Sequence, residues 1–290
     1  MRDYVLLSDS CCDLDPQLVQ KLDLTLVPLH FRLDETDYDD QWEVCGIGPG
    51  AFYDALRSGA VSHTAAANVE AYESAMRQIV ESGKDLLCLC FSSALSSTYQ
   101  SAEIAARTLR AEFPEAAIEV MDSLSASLGQ GMLLYLAARE KASGKSLTQV
   151  RQFLQETIPH LCHWFTVDDL NYLKRGGRLS GAAALLGSML NIKPILHMDP
   201  QGRLVPVGKV RGRKLALKTL SDRMAELRLT PAEDSPVFLC HGDCGEEAQN
   251  FARELEERFQ VQVYVNYIGA VIGSHTGPDT IGLFFLGKER

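Results

Sequence analysis

The first half of the chain alternates short apolar runs with stretches of helical spacing. Residues 4–8 are an apolar run that ends at Asp9-Ser10, and helical spacing follows over 16–22. Residues 25–29 read as a second strand, and 69–82 as an amphipathic helix. Residues 86–91 are continuously apolar, as in a strand buried on both faces. A helix over 96–112, a strand over 117–121 and an Ala/Leu-rich helix over 125–143 complete the series. This βαβ rhythm predicts a mostly parallel, Rossmann-like sheet.

The rhythm changes near Pro159. A strand over 163–167 leads into a Gly- and Arg-rich turn and a small-residue helix over 181–190. Strands over 194–198 and 204–210 flank a turn at 199–202, which predicts an antiparallel pair. A helix over 214–226, a strand over 237–241, a helix over 246–259 and a strand over 261–268 follow. The expected organisation is an α/β chain of two domains. One is an N-terminal α/β domain, residues 1–160; the other is a C-terminal α+β domain with a mixed sheet, residues 161–290. No low-complexity linker or solenoid repeat interrupts them.

Composition narrows the function. The chain has 290 residues, 46% hydrophobic and 23% charged, enough to bury a full core without staples. A net charge of −10 argues against a general nucleic-acid binder. Eight cysteines lack ribbon spacing, and Val5 to Leu7 is too short for a signal-peptide core. Reduced thiols in a cytoplasmic protein are expected. Cys240, His241 and Cys244 have the wrong spacing for a common zinc knuckle and no second pair follows, so no metal is expected. Residues 179–192 carry no charge but are too short to span a bilayer. Residues 259–278 show strand alternation instead.

The common catalytic signatures are missing. Gly144-Lys145-Ser146 resembles the end of a phosphate loop, but Arg139 stands where that loop needs a glycine. No nucleophile elbow occurs. Three polar clusters instead sit near strand ends: Ser8-Asp9-Ser10, His63-Thr64, and Ser92-Ser93-Ala94-Leu95-Ser96-Ser97-Thr98. Ligands in open α/β sheets bind beyond the carboxyl ends of strands, and hydroxyl-rich turns suit an anion. The alternative is that these residues only cap helices. Two basic segments stand out in an acidic chain: Lys174-Arg175-Gly176-Gly177-Arg178 and Lys209-Val210-Arg211-Gly212-Arg213-Lys214. They read as solvated loops or as a clamp for carboxylate or phosphate. Near the end, Ile272-Gly273-Ser274-His275-Thr276-Gly277-Pro278 reads as a Gly-rich turn carrying one histidine.

Taken together these stretches resemble the DegV family of bacterial fatty-acid-binding proteins. The likeness rests on Ser8-Asp9-Ser10 with Asp13-Leu14, Thr64 with Tyr72, the run Ser92 to Ala102, and Leu170-Asn171-Tyr172-Leu173-Lys174-Arg175-Gly176-Gly177-Arg178-Leu179-Ser180. It also rests on Asn191-Ile192-Lys193-Pro194, the Arg211 segment and the His275 segment. The resemblance implies a two-domain DegV-like fold with a long-chain fatty acid buried between the domains. It implies that Thr64 and a serine of the turn, Ser93 or Ser96, hold the carboxylate, with His275 and Arg211 beside it. It also implies, for some members, a partner: an ATP-binding fatty-acid kinase subunit that makes acyl phosphate for phospholipid synthesis. Arg178, Arg211 and Arg213 are the candidates for contact with that partner or its phosphate. The chain itself would be a presenting protein, not an enzyme, with the lipid as ligand and no other cofactor.

Three places depart from the family pattern. Ser97 replaces the usual glycine, Ala65-Ala66-Ala67-Asn68 replaces a more polar run, and Asp279 replaces a common glycine. Ala182, Ala183, Ala184, Leu185, Leu186, Met189 and Leu190 are candidates for the tail slot or for plain core. Two rival functions fit the same residues. One is an acyl hydrolase with Ser93 or Ser96 as nucleophile, His275 as base and Asp9 or Asp122 as orienter. The other is a sugar-phosphate or nucleotide binder that uses the arginine loops.

Overall fold

The computed structural model describes residues 2–42, 45–179, 191–229 and 236–290. Strands β1 (Tyr4–Asp9), β2 (Leu24–Val27), β6 (Asp85–Cys90) and β7 (Ile118–Asp122) form a four-stranded parallel sheet in the order β2-β1-β6-β7. Its core follows from the alternation of its strands. Leu7, Leu86, Cys88 and Cys90 face one way, toward α3 (Val69–Glu81) and α4 (Thr98–Glu112). Leu6, Leu87 and Leu89 face the other, toward α5 (Leu128–Ala142) and α6 (Leu147–Thr157). Both faces are covered, which is why residues 86–91 have no polar face to show. Cys88 and Cys90 share a side with their sulfurs 3.5 Å apart, and all eight cysteines are free thiols.

The chain leaves β1 for β2 on one side and returns to β6 on the other. The crevice between the ends of β1 and β6 is therefore a topological switch point. Between β2 and β6 lies a smaller layer that the sequence pattern did not predict. It comprises β3 (His30–Leu33), β4 (Thr36–Asp39) and β5 (Ser62–Ala65), antiparallel in the order β4-β3-β5. Helix α2 (Pro49–Arg57) packs Phe52 and Tyr53 behind it.

The second half builds a six-stranded mixed sheet. Its strands are β8 (Leu161–Thr166), β9 (Ile192–Met198), β10 (Leu204–Arg211), β11 (Val237–His241), β12 (Val263–Tyr267) and β13 (Ile281–Leu286). The order is β10-β9-β8-β13-β11-β12, antiparallel except for the β11/β12 pair. The predicted antiparallel β9/β10 pair is present, with a register shift between Pro206 and Gly208. Helices α8 (Arg213–Leu227) and α9 (Gly245–Phe259) cover one face. The other face turns toward α5 and the first half. The short helix α7 (Asn171–Arg175) precedes Arg178. The helix expected over 181–190, with the tail-slot candidates Ala182 to Leu190, lies outside the described residues. No helix among the described residues is long and apolar enough to cross a membrane.

One expectation is corrected. The segment around His275 is not a Gly-rich turn but helix α10 (Ala270–Thr276). Gly273 sits inside that helix because α10 crosses the aromatic pair on α2. A Cβ at Gly273 would stand 2.5 Å from the Tyr53 hydroxyl and 3.1 Å from Phe52. A glycine that signals a turn in sequence is here a contact surface. The turn comes four residues later, at Gly277, with φ +78°.

Candidate functional site

Residues from both halves meet around a cavity of about 280 Å³. The first half contributes Thr64 from β5, Phe91 and Leu95 after β6, Ser96 and Ser97 before α4, and Ala126 before α5. The second half contributes Leu173, Arg178 and Leu204, with Val271, Ile272, His275 and Thr276 from α10. This places the cavity beyond the carboxyl ends of the parallel strands.

One end of the cavity is polar. Thr64 Oγ1 lies 2.8 Å from His275 Nε2, joining residues 211 apart in sequence. One residue earlier on α10, Ser274 Oγ meets Ser62 Oγ at 2.6 Å, so two hydroxyl contacts fix α10 against β5. Burial, and secondarily the nearby Arg178 guanidinium, hold the His275 pKa down at about 4. The imidazole is therefore neutral near pH 7. Gly176 packs directly on its ring: a Cβ there would overlap His275 Nδ1. Arg178 directs Nε to Leu95 O at 3.2 Å and Nη1 to Gly176 O, so its charge is held at the cavity wall by carbonyls. Ser96 Oγ lies 2.8 Å from Thr98 Oγ1, at the start of α4.

Toward the sheet the lining turns apolar. A second space of about 60 Å³ is bounded by Phe165, Met198, Cys240, Ile268, Gly282 and Phe284, among others. It shares Ala126, Leu204, Ile272 and Thr276 with the larger cavity, so the two adjoin. Gly282 keeps this end open: a Cβ would stand 2.7 Å from Cys240 Sγ and 3.1 Å from Phe284 Cζ. His163, also in this wall, is closed off by Ser125 Oγ at 2.6 Å and Leu161 O at 3.3 Å. Burial keeps it neutral by pushing its pKa well down.

The structure brings together Thr64, Ser96, His275 and Arg178. It does not bring Ser93 or Arg211 to them. Ser93 does not line the cavity, and its amide donates to the Asp122 carboxylate at 3.2 Å. Arg211 lines a separate cleft of about 670 Å³ with Lys214, Lys218 and Arg258, on the outer side of β10 and α8. Arg213 borders that cleft but turns to Glu247, at 2.7 and 2.9 Å, which offsets its charge. The hydrolase arrangement is not assembled: His275 bonds a threonine, Asp122 holds the amides of Ser93 and Leu124, and Asp9 is enclosed elsewhere.

Two of the three departures from the family pattern lie in the cavity wall: Ala65 and Ala66, and Ser97. The third, Asp279, takes φ +58° and pairs with Arg57 of α2 at 3.3 Å. Sequence reasoning missed Gly282, Phe284 and Phe165 as wall residues. The apolar run 281–286 was the available signal.

Comparison with known proteins agrees with this architecture. The DegV family model, described as an uncharacterised protein of the DegV family, matches residues 4–288. A DegV domain-containing protein of Clostridium perfringens is 41% identical over 291 residues, covering 100% of this chain and 99% of its own length. A solved DegV family protein from Thermus thermophilus, described by its fatty acid binding, superposes with a TM-score of 0.87 at 33% identity. That match covers 99% of this chain and 100% of the other. A stearic acid-binding protein from Eubacterium ventriosum superposes with a TM-score of 0.86 at 29% identity, over 98% of each chain. With the family model matching almost from end to end, this chain belongs to the DegV family.

Proposed function

We propose that this protein binds a long-chain fatty acid, its tail in the apolar space between the two sheets and its carboxylate at Thr64, Ser96 and His275. In this reading residues 1–160 and 161–290 act as two domains that close on the lipid. The observation that carries it is one adjoining space with unlike ends, hydroxyl and imidazole at one, Phe165, Gly282 and Phe284 at the other. The solved relatives whose names describe fatty-acid or stearic-acid binding support the same ligand class.

The two ends divide the work. Burying about 15 methylenes at roughly 0.8 kcal/mol each gives about 12 kcal/mol before the costs of association. The tail therefore supplies affinity. A buried carboxylate is costly unless hydrogen-bonded. With the Nε2–H tautomer, neutral His275 donates to Thr64 and leaves the threonine hydroxyl proton free for the carboxylate. Arg178, held by two carbonyls, adds positive potential at the wall without gripping the head group in a bidentate fork. The carboxylate is thus bound but left nucleophilic.

We infer that the bound acid is presented to a separate ATP-binding kinase subunit, since the chain carries no phosphate-loop signature of its own. The cationic cleft at Arg211, Lys214 and Lys218 is the surface offered to that partner. The test is organic extraction of the purified protein followed by mass spectrometry. A fatty acid at near one equivalent is expected; a protein that carries none and takes up none on incubation overturns the reading.

A further inference from the structure

The motif Ser8-Asp9-Ser10 with Asp13 lies next to the site but takes no direct part in the head-group contacts described above. We propose that Asp13, together with Asp40, is a positioning residue for the head group, holding the first turn of α10 so that His275 stands at Thr64. This rests on the fatty-acid reading for what the site binds, and on geometry alone for what the two aspartates hold.

The connection can be followed atom by atom. Helix α10 begins after Gly269, which has no side chain with which to cap it. The caps come from the other half of the molecule. Gly269 N donates to Asp13 Oδ1 at 3.0 Å, and Val271 N to Asp40 Oδ1 at 3.4 Å. The two carboxylates are fixed in turn. Ser127, at the N-terminus of α5, donates to Asp13 Oδ2. Ser10 Oγ donates to Asp40 Oδ2 at 3.0 Å and accepts the amide of Leu29 at 3.0 Å. Asn266 Nδ2 donates to Asp13 O at 2.7 Å, tying the end of β12 to the same point. Gly269 makes room for the arrangement, since a Cβ there would stand 2.6 Å from Asp13 Oδ1.

Two partners of this assembly and the helix it caps reach the cavity walls. Ser127 follows Ala126 and itself lines the apolar space; Leu29 lines the polar one. Helix α10 supplies Val271, Ile272, His275 and Thr276. It is only seven residues long, so its start and its histidine are fewer than two turns apart and move as one body. Burial of Asp13 and Asp40 raises both carboxyl pKa values, Asp40 to about 6. Carboxylates kept in so costly a place, held by N–H and O–H groups, call for a role beyond packing.

The experiment uses the full-length protein, with hexadecanoic acid and hexadecanol as paired probes. They share a tail, so the ratio of their affinities reads the head-group end alone. Asp13→Ala and Asp40→Ala should each lower the acid-to-alcohol ratio at least about fivefold. Asp13→Asn should restore most of it, because Ser127 can reverse its hydrogen bond. The imidazole nitrogen signals of His275 in the unliganded protein should shift in the alanine variants and return in the asparagine variant. Unchanged ratios with unchanged His275 signals overturn the proposal, even where both affinities fall together with stability. Should Asp13→Ala not fold, Asp40→Ala and Asp40→Asn carry the same comparison. A wild-type protein that binds neither probe overturns the fatty-acid reading instead, and the His275 signals still decide the positioning role.

Discussion

Thr64→Val isolates the head-group contact. Valine keeps the β-branched shape that suits strand β5, and β5 is an edge strand, so the backbone pairing of Thr64 with Phe31 is undisturbed. What is removed is one hydroxyl, the 2.8 Å partner of His275 Nε2. A hydrogen bond to a charged group is worth about 1.5–3 kcal/mol, and about 1.4 kcal/mol is tenfold in affinity. Fatty-acid binding should therefore weaken roughly 10- to 100-fold. A fatty alcohol with the same tail lacks the charge, and its affinity should fall by no more than about tenfold. Displacement of a fluorescent fatty acid, run with both competitors, measures the two losses side by side. Equal losses for acid and alcohol, or none for the acid, would refute the assignment of Thr64 to the carboxylate.

Other perturbations reach different parts of the site. Gly282→Val should fill the space beside Cys240 and Phe284 and shift the preferred acyl chain toward shorter lengths, read by mass spectrometry of the co-purified lipid; an unchanged length profile removes Gly282 from the tail slot. Arg211→Ala should leave fatty-acid retention intact and impair acyl-phosphate formation in the presence of an ATP-binding partner; loss of retention alone would place Arg211 with the lipid after all. The folded pKa of His275 lies near 4 and its ordinary value near 6.5, so the stability it contributes is full above pH 6.5 and is lost as pH falls toward 4. Urea unfolding of His275→Gln beside the wild type should show a pH-dependent difference of about 3 kcal/mol across that window, and a constant difference contradicts it.

Most of the scaffold was legible because burial writes its own pattern. Residues 86–91 are apolar on both faces because α3 and α4 cover one side and α5 and α6 the other. The β3/β4 hairpin was not legible. Arg32, Glu35, Asp37 and Asp39 crowd its exposed face, which hides the alternation carried by Phe31 and Leu33. Strand β13 was overlooked beside the glycine-rich motif that precedes it, although it forms the centre of the six-stranded sheet. The site shows the same division. Thr64 and His275 are 211 residues apart, and no spacing rule links a strand residue to a helix residue at that distance. Only family resemblance paired them. Arg178 was visible as a basic residue among glycines, but its place in the cavity wall depends on Gly176 fitting beneath the His275 ring.

Under the proposed function, a neutral imidazole and hydroxyls suit a carboxylate that is to react better than an ion pair would. A carboxylate gripped by a buried guanidinium in two parallel hydrogen bonds is stabilised as an anion, and its oxygens become poor nucleophiles. In this cavity the nearest arginine, Arg178, has its Nε and one terminal nitrogen committed to Leu95 O and Gly176 O. The histidine is kept neutral by burial and by that same arginine. The tail, not the head, then carries the affinity, and the head-group contacts need only orient the acid. This division also explains why the polar end is braced so heavily from outside. Hydroxyl contacts are weak and directional, so their geometry must be imposed by the surroundings. The Ser62–Ser274 bond and the caps from Asp13 and Asp40 fix both ends of α10 and so set where His275 stands. A site that bound its ligand by charge would tolerate a looser helix; one that presents a reactive carboxylate, as proposed here, would not.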